Sequence, residues 1–199
     1  MAGAFPISTA QFTSLGIKSI QNTIISKSVS GKKLARQIDG QRWAFTIQII
    51  TAKRSDVYGE LMAFIVKQRS GKENFTIVPP EITDARGTAS GTPNGTASAG
   101  ATSITLAGTG TGTLKAGDMI KFANHSKVYM VVADQSDIST GTLTIEPPLT
   151  TAVSSSDIQY DNVPFTVHLT NDVQEFGVSG ADKDGNLYYE YQFDVEESL

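Results

Sequence analysis

The chain has 199 residues, 39% of them hydrophobic, which is enough to form a core in one large domain or two small ones. It contains no cysteine, and this excludes disulfides, thiolate nucleophiles and cysteine-ligated metals. The formal net charge is −4, but residues 1–80 hold 11 Lys or Arg against 4 Asp or Glu, whereas residues 81–199 hold 5 against 16. Such asymmetry is compatible with nucleic-acid binding, with head-to-tail self-association, or with two solvated faces of one fold.

No apolar run long enough for a transmembrane helix is present, since such a helix needs about 18 residues. The segment from Met1 to Ser8 lacks the basic and apolar regions of a secretory signal. Together with the absence of cysteine, these features predict a protein that is made and folded in a reducing cytoplasm.

The first part of the chain begins with strand patterns. Residues 22–29 predict one strand, residues 30–33 a turn, and residues 37–50 a second strand. In the second strand, apolar side chains alternate with small or polar ones, which is the period of a strand with one buried face. The alternating apolar residues are Trp43, Phe45, Ile47 and Ile49.

The period then changes to that of an amphipathic helix of about four turns. Ser55 is the candidate N-cap, and Gly71 is placed to end the helix. One face of the helix would be formed by Val57, Leu61, Phe64, Ile65 and Gln68. A short strand at 74–78 follows, and Pro79 and Pro80 end it.

The middle of the chain has a different composition, because 23 of the 27 residues from Gly87 to Thr113 are Gly, Ser, Thr or Ala. A flexible linker is one interpretation. We favour strands joined by small-residue loops, since alternation is visible at 102–106 and stronger strands are predicted at 119–122, 127–132 and 142–145. Several short strands at this spacing indicate a small barrel or sandwich.

Aromatic alternation returns in the last part of the chain, at 165–169 and along the final strand, 187–195. This return predicts a discontinuous outer domain, residues 1–85 and 158–199, with residues 86–157 as an inserted small β-barrel module. In the final strand, the face opposite the apolar one carries Glu190, Asp194 and Glu196, so it meets water or an oppositely charged partner.

No residue pattern typical of catalysis or metal binding is present. His125 and His168 occur in neither an HxH nor an HExxH motif, so a zinc site is not expected. There is no Gly-x-Ser-x-Gly elbow, and the glycine-rich segment 108–112 lacks the ending of a phosphate-binding loop. At 182–186 the glycine comes fourth and strands flank the segment, which predicts a hairpin turn rather than a calcium loop. We therefore predict no catalytic residue, no metal and no cofactor.

Basic residues cluster near the first predicted hairpin, namely Lys32, Lys33, Arg36 and Arg42. Contact of such residues with DNA phosphates is physically possible. Without stacking aromatics or a groove-reading helix, sequence-specific nucleic-acid binding is not expected. A strand edge protected by solvated lysines is the alternative interpretation.

Several stretches carry a resemblance to a known family. In the first part they are 28–31 (SVSG), 39–47 (DGQRWAFTI), 61–65 (LMAFI) and 74–80 (NFTIVPP). In the middle they are 101–106 (ATSITL), 114–118 (LKAGD), 128–132 (VYMVV) and 143–149 (LTIEPPL). The first set resembles the outer domain of bacteriophage distal-tail and related baseplate ring proteins. The second set resembles a β-module common in phage structural proteins.

This resemblance implies a mainly β fold: a tail-tube-like β-sandwich with one amphipathic helix, plus an inserted small β-barrel. It also implies a non-enzymatic structural protein of the virion, forming a hexameric ring at the junction of tail tube and baseplate. The ring would line or surround the channel for genome ejection. Its partners would be copies of itself and other tube and baseplate proteins, with no membrane, and both contractile and non-contractile tails are compatible.

A closed ring brings different patches of neighbouring subunits together, and opposite charge on the two patches sets their orientation. We therefore expect a basic patch to face an acidic patch of the next subunit. The expected interface residues are Lys32, Lys33, Arg36 and Arg42 on one side, and Glu190, Asp194 and Glu196 on the other.

Two other functions are alternatives to the ring. A carbohydrate- or receptor-binding module of a tail tip could use Tyr129, Tyr188 or Trp43 as a platform, although the alternation around Trp43 favours the core. An enzyme such as a tail lysin is disfavoured by the absence of a catalytic histidine arrangement.

Overall fold

The computed structural model describes residues 3–7, 11–37 and 40–199. Within them the regular secondary structure is mainly β-strand, with one α-helix, α1 (Gly59–Lys67). The strands, in chain order, are β1 (Phe12–Ile20), β2 (Thr23–Lys27), β3 (Lys33–Gln37), β4 (Arg42–Lys53), β5 (Phe75–Ile77), β6 (Pro93–Ala97), β7 (Ser103–Gly108), β8 (Met119–Phe122), β9 (Val128–Val131), β10 (Thr142–Glu146), β11 (Val153–Gln159), β12 (Phe165–Leu169), β13 (Gly177–Ala181) and β14 (Leu187–Glu197).

The two ends of the chain form one antiparallel sheet of six strands, in the order β1-β4-β14-β12-β5, with β13 paired to β14. Its central strands are β4 and β14, whose register places Phe45 opposite Val195 and Ile47 opposite Phe193. These four side chains are buried, as the alternation predicted. The opposite faces of both strands carry the polar residues.

The helix covers the apolar face of this sheet. A single π-helical turn at Arg54–Tyr58 leads into α1, and together they bury Val57, Tyr58, Leu61 and Ile65. The tyrosine hydroxyl donates to the carbonyl oxygen of Ile50 at 3.2 Å, and burial raises the pKa of Tyr58 to about 12. Helix and sheet therefore share one core.

Three local predictions were wrong. Ser55 does not cap the helix, because it lies inside the π-helical turn and its hydroxyl donates to Asp56. Gly71 does not end the helix, since α1 ends at Lys67 and Arg69 takes the left-handed conformation with φ 54°. The bounds of the strand predicted at 37–50 were wrong, because this strand is β4, which begins at Arg42 and ends at Lys53, whereas Gln37 belongs to β3. Residues 38 and 39 lie outside the described residues.

The middle of the chain closes into a six-stranded barrel, in the order β10-β7-β6-β11-β8-β9. It has its own core, which includes Ile104, Phe122, Tyr129 and Ile145. The predicted fold class, mainly β with one amphipathic helix and a small barrel, is confirmed. None of the described helices has the length and apolarity to cross a bilayer.

The barrel strands span Pro93 to Gln159, so β11 passes the predicted module boundary at residue 157 by two residues. One side of the barrel also packs on the sheet, because Met119 and Val128 belong to the same apolar cluster as Trp43 and Phe45. That the outer part is a separate folding domain stays a prediction.

Candidate subunit-interface surface

Strands β2 and β3 form a two-stranded hairpin that pairs with no other strand in the described part of the chain. Every residue of both strands is exposed. The turn is shaped by Ser28, whose hydroxyl accepts the Lys32 N–H at 3.1 Å, and by Gly31 at φ +79°. We call this element the basic hairpin, because it carries Lys32, Lys33 and Arg36 of the predicted interface.

Both faces of the basic hairpin combine apolar and cationic side chains. On one face Ile24 lies opposite Arg36 and Ser26 opposite Leu34. On the other face Ile25 lies opposite Ala35. Ile24 and Ile25 are each 57% exposed and Leu34 is 52% exposed. An isolated two-stranded hairpin is only marginally stable in water. Burial of these exposed apolar side chains against another surface would therefore stabilise it.

The same register places Lys27 directly opposite Lys33. Like charges at directly opposed positions of an antiparallel pair destabilise it. The chain therefore holds two ammonium groups close together on a hairpin with no acidic residue in either strand. An anionic surface placed against this hairpin would relieve that repulsion.

The fourth predicted basic residue, Arg42, lies elsewhere, at the start of β4 in the six-stranded sheet. Its guanidinium donates to the Glu196 carboxylate at 3.1 Å within the same chain. The structure thus brings together one predicted basic and one predicted acidic residue, but as an intrachain pair on the polar face of the sheet.

The other two acidic residues remain on that polar face. Asp194 accepts the Thr46 hydroxyl at 2.5 Å, and Glu190 lies opposite Gly177 of β13. Glu190 also lines a surface depression of about 310 Å³ with Glu175, and its other lining residues are Gln48, Gly177, Tyr191 and Gln192. We call this feature the acidic depression. Glu175 was missed by the sequence analysis, because it lies in a loop with no periodic pattern.

Two of the three aromatic residues considered as sugar platforms are buried. Trp43 is 6% exposed and Tyr129 is 0% exposed, so both are buried. Tyr188 is partly exposed, but the Lys53 ammonium lies 5.6 Å from the centroid of its ring. The binding-module interpretation therefore loses Trp43 and Tyr129 as platform residues.

The segment 182–186 forms a hairpin turn. The Asp182 carboxylate accepts the N–H groups of Asp184 and Asn186 at 2.9 Å each, and the Lys53 ammonium lies 2.9 Å from it. These hydrogen bonds, with Lys53 first, hold the pKa of Asp182 well below its usual value. Across residues 3–7, 11–37 and 40–199, no cluster of three His, Cys, Asp or Glu has the geometry to hold a metal.

The two histidines differ in environment, and one belongs to a polar network that the sequence did not indicate. His125 is within 2.8 Å of the Tyr129 hydroxyl through Nε2 and within 2.7 Å of the Asn124 side-chain oxygen through Nδ1. Burial, followed by the charge of Lys121, lowers the pKa of His125. The network joins β9 to the loop that precedes it.

Comparison with known proteins finds a similarity for the barrel. Residues 82–163 match the family model for the B domain of the distal tail protein pb9. No curated protein sequence matches the chain. The matched range contains all six barrel strands and the two segments that join them to the sheet. The barrel is therefore similar to the B domain of the distal tail protein pb9, and this similarity supports the predicted resemblance of the chain to phage distal tail proteins.

Proposed function

We propose that the chain assembles into a hexameric ring at the junction of the phage tail tube and the baseplate, and that this ring lines or surrounds the genome-ejection channel. The protein would be made and folded in the host cytoplasm and would act by assembly, without catalysis. Its partners would be copies of itself and the tube and baseplate proteins above and below it. The observation that carries the proposal is the basic hairpin, which has exposed apolar side chains on both faces.

Burial of its exposed apolar side chains would favour binding of the hairpin to a neighbouring subunit. Burying Ile24, Ile25 and Leu34 against another subunit would contribute about 1.5–3 kcal/mol for each fully buried side chain. Because a permanent interface usually buries more than about 2,000 Å², the hairpin would be one part of a larger contact. It would act as an arm that crosses the boundary between subunits.

Charge indicates where that arm would lie. Lys32 and Lys33 are cationic and exposed, and the acidic depression offers two carboxylates, Glu175 and Glu190, on the same polar face as Asp194. Opposite potentials steer association and fix orientation more than they add affinity. A contact between unlike patches is heterologous, and such contacts close into a ring when the rotation per subunit fits.

The charged residues proposed for the subunit interface therefore differ from those predicted from the sequence. Arg42 and Glu196 already satisfy each other within one chain, so neither is needed across the boundary. The proposed interface charges are Lys32, Lys33 and Arg36 on the hairpin, and Glu175, Glu190 and Asp194 on the next subunit.

Charge reversal and rescue test the proposal. Lys32→Glu with Lys33→Glu should reduce incorporation of the chain into tails, and Glu175→Lys with Glu190→Lys in the same chain should partly restore it. Lys72→Glu with Lys183→Glu is the matched control, because it makes the same charge change at two exposed lysines outside the hairpin. Normal assembly of the hairpin variant, at low and at physiological salt, would refute this interface.

A further inference from the structure

The barrel and the sheet are joined by a buried ion pair. The ammonium of Lys127, which precedes β9, lies 2.5 Å from the carboxylate of Glu197, which ends β14. The two side chains are 1% and 0% exposed. Lys127 also donates to the side-chain oxygen of Gln41, just before β4, at 2.8 Å. The pair therefore spans two parts of the fold that are separated in sequence.

Both carboxylate oxygens of Glu197 have hydrogen-bond partners, and the Lys127 ammonium has two. The Glu197 carboxylate also accepts the main-chain N–H of Val128 at 2.9 Å and that of Trp43 at 3.2 Å. Each of these bonds requires a fixed direction, because hydrogen bonds weaken steeply when they are bent. The arrangement tolerates only one placement of the barrel strand relative to the end of β14.

A second attachment lies where the chain crosses between the two parts. The Asp84 carboxylate accepts the Asn162 N–H at 3.0 Å, and the Asp161 carboxylate accepts the Ala85 N–H at 3.2 Å. These reciprocal bonds hold the two crossing segments side by side. The crossing segments alone would leave the barrel free to rotate relative to the sheet. The Lys127–Glu197 pair, made by different strands, would remove that freedom.

We propose that the Lys127–Glu197 pair is an orientation lock, which fixes the direction in which the barrel projects from the sheet and does not maintain the folding of either part. Each part has its own apolar cluster of fourteen or more buried residues, and apolar contacts between them are non-directional. Replacing a buried ion pair by apolar side chains is often neutral or stabilising, while its best-attested role is in specifying geometry. Lys127 and Glu197 are thus positioning residues.

The test separates direction from stability. The chain has no cysteine, so Thr13→Cys on β1 and Ser136→Cys on the barrel, both exposed, give one pair of spin labels. Pulsed electron paramagnetic resonance then measures the distance distribution between sheet and barrel in the full chain. The lock is removed by the double variant Lys127→Met with Glu197→Leu, which leaves no unpaired buried charge.

We expect the double variant to unfold cooperatively, at a Tm lowered because the main-chain N–H groups of Val128 and Trp43 lose their acceptor, and its distance distribution to be at least about twice as broad. The control is Lys115→Met with Asp134→Leu, which removes an exposed 2.9 Å pair within the barrel and should leave the distribution narrow. An unchanged distribution in the double variant would overturn the lock. An unfolded double variant would overturn it too, because the pair would then maintain folding instead of direction.

Discussion

The indole N–H of Trp43, in the sheet, donates a 3.0 Å hydrogen bond to the main-chain oxygen of Val128, in the barrel. The one tryptophan of the chain therefore lies at the contact between the two parts, where it is buried. The residue that was a candidate sugar platform is instead a structural contact. It also brings its ring to 5.9 Å from the Lys127 ammonium.

Trp43→Phe tests the energetic value of this contact. The change keeps an aromatic ring but leaves the Val128 oxygen buried without its donor, which costs about 1–3 kcal/mol. The free energy of unfolding, measured by urea denaturation with circular dichroism, should fall by that amount. Tyr188→Phe, at a partly exposed residue of β14, is the control and should change it by less than about 0.5 kcal/mol. Equal effects of both changes would argue against the buried contact.

The stability of the barrel should depend on pH through His125. Its folded-state pKa is lowered, so on acidification the unfolded chain binds a proton before the folded chain does. Stability is therefore greatest above the unfolded pKa of about 6.5 and should decrease as the pH falls below it. Thermal unfolding at pH 7 and at pH 5 measures this loss.

His125→Gln should reduce the loss between these two pH values, because it removes the group that protonates. His168→Gln leaves His125 and its hydrogen bonds in place, so it should keep the loss. If His125→Gln showed the wild-type pH dependence, another group would have to carry it.

The segment that leads from the sheet into the barrel requires a glycine at position 87. A Cβ at Gly87 would lie 1.9 Å from the carbonyl oxygen of Thr113, a distance that requires the backbone to move. Gly87→Ala should therefore destabilise the chain by about 1–3 kcal/mol, in the range of overpacked sites. Gly180→Ala is the matched control, because nothing lies within 4 Å of the Cβ it would add. The measurement is the Tm of each variant. A Gly87→Ala variant with the wild-type Tm would contradict the close contact between Gly87 and Thr113.

The discontinuous outer part should fold without the barrel. The crossing segments are adjacent, since Asn162 bonds to Asp84, so a short Gly/Ser linker can replace residues 86–160. We expect cooperative unfolding with a lower Tm, because the sheet loses its contacts with Met119 and Val128, worth about 1.5–3 kcal/mol for each buried side chain. Loss of all cooperativity would show that the sheet and the barrel form a single folding unit.

The fold was largely predictable where apolar alternation is strong, as in β4 and β14. It was not predictable in β6 and β11, whose sequences PNGTA and VSSSDIQ contain few large apolar residues. The reason is steric: a Cβ at Gly95 would lie 2.7 Å from Ile104 Cγ2 and 3.0 Å from the Phe122 ring. Small inward residues on one strand make room for large ones on its neighbours, and a single-strand pattern does not show this.

Local sequence predicted only part of the surface that is proposed as the interface. The basic hairpin followed from local sequence, because its turn and its lysines are adjacent in the chain. The Arg42–Glu196 and Lys127–Glu197 pairs did not, since their partners are 154 and 70 residues apart and the register of β14 decides which carboxylate is buried. Pairing between distant charges depends on tertiary contacts that composition and spacing do not contain.

The most direct test of the account is cryo-electron microscopy of assembled tails that contain this chain. We predict six copies in one closed ring where the tail tube meets the baseplate, with the basic hairpin of each copy on the next. A different copy number, a position away from that junction, or a ring in which the basic hairpin is exposed to solvent would contradict it.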